Sequence, residues 1–213
     1  MISDERIVSY INSLESDEND FLKNLREEAI RDNVPIIRRE MESFLKVIIA
    51  LRKPCEILEL GSAVGYSAIL MSEYGKGKCN ITTIENYEKR IPIAKKNFAK
   101  AQYGDKIKLI CGDALEEISK MENTYDMIFI DAAKGQYINY LPEAIRLLNK
   151  GGVLIADNVL FDGDIFESRY GVVRRNRTIH SRMREFLEAV KNHEQLITSI
   201  VPIGDGITFS IKK

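Results

Sequence analysis

An excess of charge of either sign is the first thing this chain lacks. Lysine and arginine number 31 against 32 aspartates and glutamates, a formal net charge of −1. That balance excludes a protein coated in positive charge, so any nucleic-acid contact must come from a local patch. Long apolar runs are missing as well, so no membrane span is expected. The amphipathic N-terminus carries acids early and shows no signal peptide, so the expected location is the cytoplasm. Cysteine occurs three times, at Cys55, Cys79 and Cys111. The odd count and wide spacing argue against a disulfide framework and for small buried hydrophobes in a reducing compartment. Histidine occurs twice. His180 and His193 fall on a helix and near its end, where both are expected at the surface, which argues against a zinc centre. There is no internal repeat and no low-complexity segment.

What is present is enough chain, 213 residues, for one domain with a full core. The expected unit is 1–213, with a helical extension over 1–52 and an α/β core over 53–213. Apolar spacing predicts three helices before residue 53. Ser3 or Asp4 would cap the first, Ser16 or Asp17 would start the second, and Pro54 would end the third. Strands and helices then alternate. Strands are expected at 57–60, 80–85, 107–111, 127–130 and 153–156, with Gly151-Gly152 ending the helix before the last of these. A polar loop follows from 158 to about 177, then a helix over 180–192. Two further strands, 196–202 and 207–211, are joined at Gly204-Asp205-Gly206, a hairpin signal. Five strand–helix units and a hairpin imply a doubly wound, mostly parallel sheet of seven strands with the last antiparallel.

The stretch ILELGSAVGYSA, residues 57–68, organises the rest. A glycine at a strand exit lets the backbone turn tightly and approach a bound molecule, and the helix beyond offers unpaired N–H groups. It is not the dinucleotide fingerprint, because Ala63 and Tyr66 stand where that pattern needs glycine. Glu59 at the loop's mouth would repel a pyrophosphate and suits a ligand bearing an amino group. Further acids close other strands: Glu85, placed to hold ribose hydroxyls, Asp131, and Asp157-Asn158. Asp113 and Ala114 follow the third strand, where they could meet an adenine edge. Parallel strands bring their carboxyl ends together, so Asp131, Asp157 and Asn158 should be neighbours. Two carboxylates and an amide oxygen suit Mg²⁺, Mn²⁺ or Ca²⁺. Repulsion from such a cation would favour the neutral amine of Lys134 and fit it to accept a proton.

The segments ELGSAVGYS (59–67), GDALE (112–116), YDMIFIDAAKGQY (125–137) and GGVLIADNVL (151–160), in this order, resemble the cation-dependent O-methyltransferases of the catechol and caffeoyl-CoA type. The resemblance covers nearly the whole chain. It implies a Rossmann-like methyltransferase fold, S-adenosylmethionine as methyl donor and a divalent cation, Mg²⁺ foremost. It places Met41 over the cofactor, Glu59, Gly61 and Ser62 at its methionine part, and Ser67 at its carboxylate. Glu85 falls at the ribose, and Asp113 and Ala114 at the adenine. Asp131, Asp157 and Asn158 would hold the cation, and Lys134 would be the general base. The family is generally dimeric, so a homodimer is expected.

The substrate reading rests on 168–184, SRYGVVRRNRTIHSRMR, which carries Arg169, Arg174, Arg175, Arg177, Arg182 and Arg184 and no acid. Arginine forks suit phosphate oxygens and stack on bases. With DAAKGQY, DNVLF and VPIGDG, the cluster resembles the bacterial branch of the family that methylates 5-hydroxyuridine at the tRNA wobble position. The expected partner is therefore the tRNA anticodon loop, through Arg174, Arg175, Arg177 and Arg182. The alternatives are a small-molecule catechol or phenol O-methyltransferase, a nicotinamide-dependent oxidoreductase, and a non-catalytic RNA-binding module.

Overall fold

The computed structural model describes residues 4–15, 19–168 and 170–213; of Asp162 only the backbone is described. Ser3, Ser16, Asp17 and Arg169 lie outside the described residues. Three helices open the chain: α1 (Glu5–Ser13), α2 (Asp20–Arg31) and α3 (Arg39–Arg52). Asp4 caps α1 through the Arg6 N–H, and Asn19 caps α2 through the Leu22 N–H. Alternation then begins with β1 (Glu56–Leu60), α4 (Tyr66–Tyr74), β2 (Asn80–Glu85), α5 (Ile91–Lys100) and β3 (Ile107–Cys111). It continues through α6 (Ala114–Lys120), β4 (Tyr125–Ile130), α7 (Tyr137–Leu147) and β5 (Leu148–Ala156). The chain ends in α8 (Arg177–Asn192), β6 (Leu196–Val201) and β7 (Ile207–Lys212).

The seven strands form one sheet in the order β3-β2-β1-β4-β5-β7-β6, parallel except for β7, which pairs antiparallel with β5 and β6. Central strands buried on both faces must be apolar throughout, and Met127, Ile128, Phe129 and Ile130 of β4 are all at 0% exposure. One face packs against Leu22, Leu25, Leu45 and Ile49 of α2 and α3 together with α4, so the early helices share a core with the sheet. The other face packs against Tyr140, Leu141, Met183 and Phe186 of α7 and α8. Chain order reverses between β1 and β4, and that crevice at the strands' carboxyl ends is where such sheets bind ligands. No helix among the described residues is long and apolar enough to cross a membrane.

Several expectations are corrected. Gly151-Gly152 do not end a helix: α7 stops at Leu147, and β5 runs through both glycines, with Gly151 at φ 74°. The reason is a register irregularity. Leu148 pairs with Tyr125 while Val153 pairs with Met127, so extra β5 residues bulge out. Cys79 is buried, but Cys55 and Cys111 are exposed. His180 is not at the surface; α8 starts three residues earlier than expected and turns it inward to 2% exposure. Ile7 and Tyr10 on α1, and Val47 and Leu51 on α3, are exposed.

Candidate active site

Turn chemistry builds the centre of the site. β1 ends at Leu60, and Gly61 follows with φ 98°. A Cβ there would lie 2.0 Å from the Asp131 carbonyl oxygen, so only glycine lets the β1 and β4 exits touch. The Gly61 and Ser62 N–H groups both donate to the Ile84 carbonyl, at 3.0 and 3.1 Å, which ties the loop to β2. The Ala63 N–H donates to Glu85 Oε2 at 2.7 Å, and the Tyr87 N–H to Oε1 at 2.8 Å. Asp113 caps α6 by accepting from the Leu115 and Glu116 N–H groups. These turns surround a cavity of about 610 Å³ lined by Gly61, Ser62, Ser67, Glu85, Asp113, Ala114, Asp131, Lys134 and Asn158.

The remaining expected residues lie elsewhere. Met41 is 1% exposed within the apolar core and lines no part of the cavity; the preceding segment, 35–38, does so instead. Glu59 is not at the loop's mouth. It lies inside β1 at 0% exposure, accepting hydrogen bonds from the Ser67 and Thr83 hydroxyls. It therefore acts on the cavity through Ser67. Burial pushes its carboxyl up to about 7 against those hydrogen bonds, with the charges of Asp131 and Glu85 adding. The cluster Arg174, Arg175, Arg177 and Arg182 stands outside the cavity. Arg177 donates to the Val172 and Tyr170 carbonyls, and Arg182 to the Gly135 carbonyl at 3.1 Å. The Arg174 and Arg175 side chains are exposed and make no hydrogen bond or ion pair among the described residues, although the Arg174 carbonyl accepts from the Arg177 N–H.

The acids meet as the topology requires. Ile130 of β4 pairs with Ala156 of β5, so Asp131 and Asp157 leave the sheet side by side. The Asp157 N–H donates to the Ile130 carbonyl at 2.9 Å, and the Tyr137 hydroxyl to the Asp157 carbonyl at 3.0 Å. Asp131 and Asn158 line the cavity, and Asp157 sits behind them at 3% exposure. Asn158 holds φ at 58°, a left-handed conformation that asparagine tolerates better than most side chains. Burial pushes Asp131 up to about 6 despite the Lys134 charge. Burial pushes Asp157 up to about 7, with the Asp131 charge adding next. Among the described residues no three His, Cys, Asp or Glu side chains form a ready-made metal cluster, so a cation here would depend on the Asn158 amide beside the two carboxylates.

Sequence reasoning missed Asp205. It is 2% exposed, lines the cavity, and stands 3.3 Å from Lys134 Nζ. Its only sequence signal was an acid between two glycines, which reads as a turn. Lys134 also lies 5.3 Å over the Phe161 ring, so its ammonium is held in a fixed place beside Asp131, Asp157 and Asp205. A second missed feature braces Tyr66, another cavity residue. Its hydroxyl donates to Glu42 Oε2 at 3.0 Å and accepts from Arg26 at 2.9 Å, while Arg26 also pairs with Glu42. Arg26 reaches the Ile37 carbonyl as well, so α2 and α3 fix both the 35–38 segment and the start of α4.

Comparison with known proteins agrees with this geometry. The family model for O-methyltransferase matches residues 12–213. Caffeoyl-CoA O-methyltransferase 1 of Arabidopsis thaliana is 32% identical over 204 residues, covering 90% of this chain and 77% of that protein. Catechol O-methyltransferase of Niastella koreensis is 30% identical, covering 76% of each chain. The SAH-bound methyltransferase PaMTH1 of Podospora anserina superposes with a TM-score of 0.88 at 26% identity, over 98% of this chain and 94% of that one. The sheet order, the glycine turn against Asp131 and the acids at the strand exits are therefore those of an enzyme scaffold, and the chain belongs to the O-methyltransferase family.

Proposed function

We propose that this protein transfers a methyl group from S-adenosylmethionine to a hydroxyl of 5-hydroxyuridine in a tRNA anticodon loop, with a divalent cation. The observation that carries the reading is the meeting of Asp131, Asp157 and Asn158 at one wall of a cavity whose other wall is polar. The residues present fit both groups. The Ser62 hydroxyl is buried in the cavity wall with no hydrogen-bond partner among the described residues, as a ligand contact would require. Ser67 commits its proton to Glu59, so its oxygen offers lone pairs suited to the donor's ammonium rather than to the carboxylate expected from the resemblance. Glu85 keeps acceptor capacity on both oxygens beyond its two backbone bonds and suits a ribose diol. Asp131 and Asp157 repel each other and are desolvated, a state that positive charge relieves.

When bound, S-adenosylmethionine supplies an electrophilic methyl group and the cation a Lewis acid for two neighbouring substrate oxygens, which in this base are the 4-carbonyl and the 5-hydroxyl. Asp131, Asp157 and Asn158 would hold the cation by oxygen. Gly61, Ser62 and Ser67 would fix the methionine end, and Asp113 and Ala114 the adenine edge. As a neutral amine beside Asp205, Lys134 would accept the substrate hydroxyl proton at Nζ. Lys134→Ala is expected to lower kcat at least about ten-fold while leaving cofactor affinity within about two-fold. Equal losses in both, by turnover and calorimetry, would remove the base role.

Support for the RNA substrate comes from the segment after β5. Arg174 and Arg175 are exposed and unpaired among the described residues, and Phe166 and Tyr170 are 77% and 84% exposed beside them in sequence. Exposed arginines that follow exposed aromatics along one segment suit single-stranded nucleic acid, which stacks bases and presents phosphates. The second reading, a small catechol substrate, is favoured by the similarity to catechol and caffeoyl-CoA enzymes. Mass spectrometry of nucleosides from tRNA bearing 5-hydroxyuridine, incubated with enzyme, donor and Mg²⁺, separates the two. 5-Methoxyuridine is expected, together with its loss in a double Arg174→Glu, Arg175→Glu variant that still binds the donor. Methylated catechol with unmodified tRNA would establish the second reading.

A further inference from the structure

Arg26 of α2 is 7% exposed, lines no part of the donor cavity, and holds two residues that do. Its Nη1 donates to the Ile37 carbonyl at 3.4 Å and its Nη2 to the Tyr66 hydroxyl at 2.9 Å, with the guanidinium 4.6 Å over the Tyr66 ring. Ile37 and Tyr66 both line the cavity, and Tyr66 directly precedes Ser67. Glu42 of α3, 1% exposed, closes the network. It pairs with Arg26, accepts from the Tyr66 hydroxyl at 3.0 Å and pairs with Lys46 at 2.8 Å. Burial opposes ionisation of Glu42, but Lys46 and Arg26 outweigh it and hold the carboxyl below its ordinary value. Stability alone does not call for such a pair, because apolar residues of like volume join helices without desolvating two charges. What apolar residues could not supply is one fork that bonds a carbonyl of the 35–38 segment and a hydroxyl at the start of α4 together. Ile36 and Ile37 belong to no helix or strand, so the fork holds a stretch that regular structure does not.

We propose that Arg26 is a positioning residue for the methyl donor. By holding the Ile37 carbonyl and the Tyr66 hydroxyl from one guanidinium, it fixes the spacing of two parts of the cavity wall and links donor affinity to the docking of α2. The inference rests on the donor reading above and is independent of the methyl acceptor. The link runs both ways: if docked α2 favours the donor, bound donor favours docked α2 to the same degree.

Two variants separate positioning from mere support. Arg26→Lys keeps a positive charge beside Glu42 and loses the fork. Tyr66→Phe is the milder change, removing one hydroxyl and leaving the Arg26–Glu42 pair. Calorimetric titration with S-adenosylmethionine is expected to show affinity reduced about ten-fold in Arg26→Lys and about three-fold in Tyr66→Phe. Amide hydrogen exchange with and without the donor reads the link itself. In the parent protein the donor is expected to slow exchange along α2, which does not touch it, more than along the remote β6. In Arg26→Lys that extra slowing should disappear. A network that only supports the fold would speed exchange in α2 with and without donor and leave the donor's extra slowing in place, and that result would overturn the proposal. So would donor affinity in both variants equal to that of the parent, which overturns this inference alone. A parent protein that binds no S-adenosylmethionine removes the donor reading and this inference with it.

Discussion

Gly61→Ala is expected to abolish donor binding and to destabilise the fold by at least about 3 kcal/mol. Two costs combine. The residue sits at φ 98°, where an L side chain is strained, and its new Cβ would stand 2.0 Å from the backbone oxygen of Asp131. Backbone cannot rotate away as a side chain can, so β1 and β4 must separate at the cavity. Gly163 supplies the comparison. It has a similar φ of 91°, but among the described residues a Cβ there would meet only a Phe166 ring carbon at 3.5 Å. Gly163→Ala should therefore cost about 1 kcal/mol, the strain alone. Chemical denaturation and donor titration of both variants check the pair. Equal destabilisation would mean that the contact between strand exits is not what selects glycine at Gly61.

Asp157→Asn and Asp131→Asn are each expected to lower methyl transfer at least about 100-fold, and yet to raise stability when the protein is held in chelator at pH 8. The sign follows from the shifts. Both carboxyls are pushed up, Asp131 to about 6 and Asp157 to about 7, from an ordinary value of 3.8. Between about pH 4 and pH 7 the folded state therefore binds more protons than the unfolded one, and stability falls as pH rises. Above that window both groups are charged, desolvated and mutually repelling. An asparagine keeps the shape and removes the charge. Melting in chelator should thus decline from pH 5 to pH 8 in the parent protein and less steeply in either variant. Added Mg²⁺ should restore the parent at pH 8 and leave the variants nearly unchanged. A parent protein indifferent to both chelator and Mg²⁺ would rule out a cation held by these acids.

The two tests bear on features of different legibility. Gly61 was readable because strand–glycine–helix is a local pattern, decided within a dozen residues. The Asp131–Asp157 pairing was readable because parallel strands have one carboxyl edge, whatever their order. The direction of a single side chain was not. Glu59 lies within the strand that Gly61 follows, and the Ser67 and Thr83 hydroxyls hold it inside the protein. Met41 has the right helix and the wrong face, since α3 docks with it inward among Leu22 and Leu45. The arginine run was legible as charge. Its division between Arg177 and Arg182, which hold loop carbonyls, and Arg174 and Arg175, which do not, depends on how that loop folds back on α8.

By itself the sequence determined the order of strands and helices, the antiparallel last strand, the glycine turn and the edge at which the acids gather, because each follows from local periodicity or from connectivity. Tertiary structure alone decided that Asp205 meets Lys134 across 71 residues, that the 35–38 segment closes the cavity, and that His180 is buried. Those contacts join segments whose mutual approach is fixed only when helices dock on the sheet. No spacing along the chain encodes that approach.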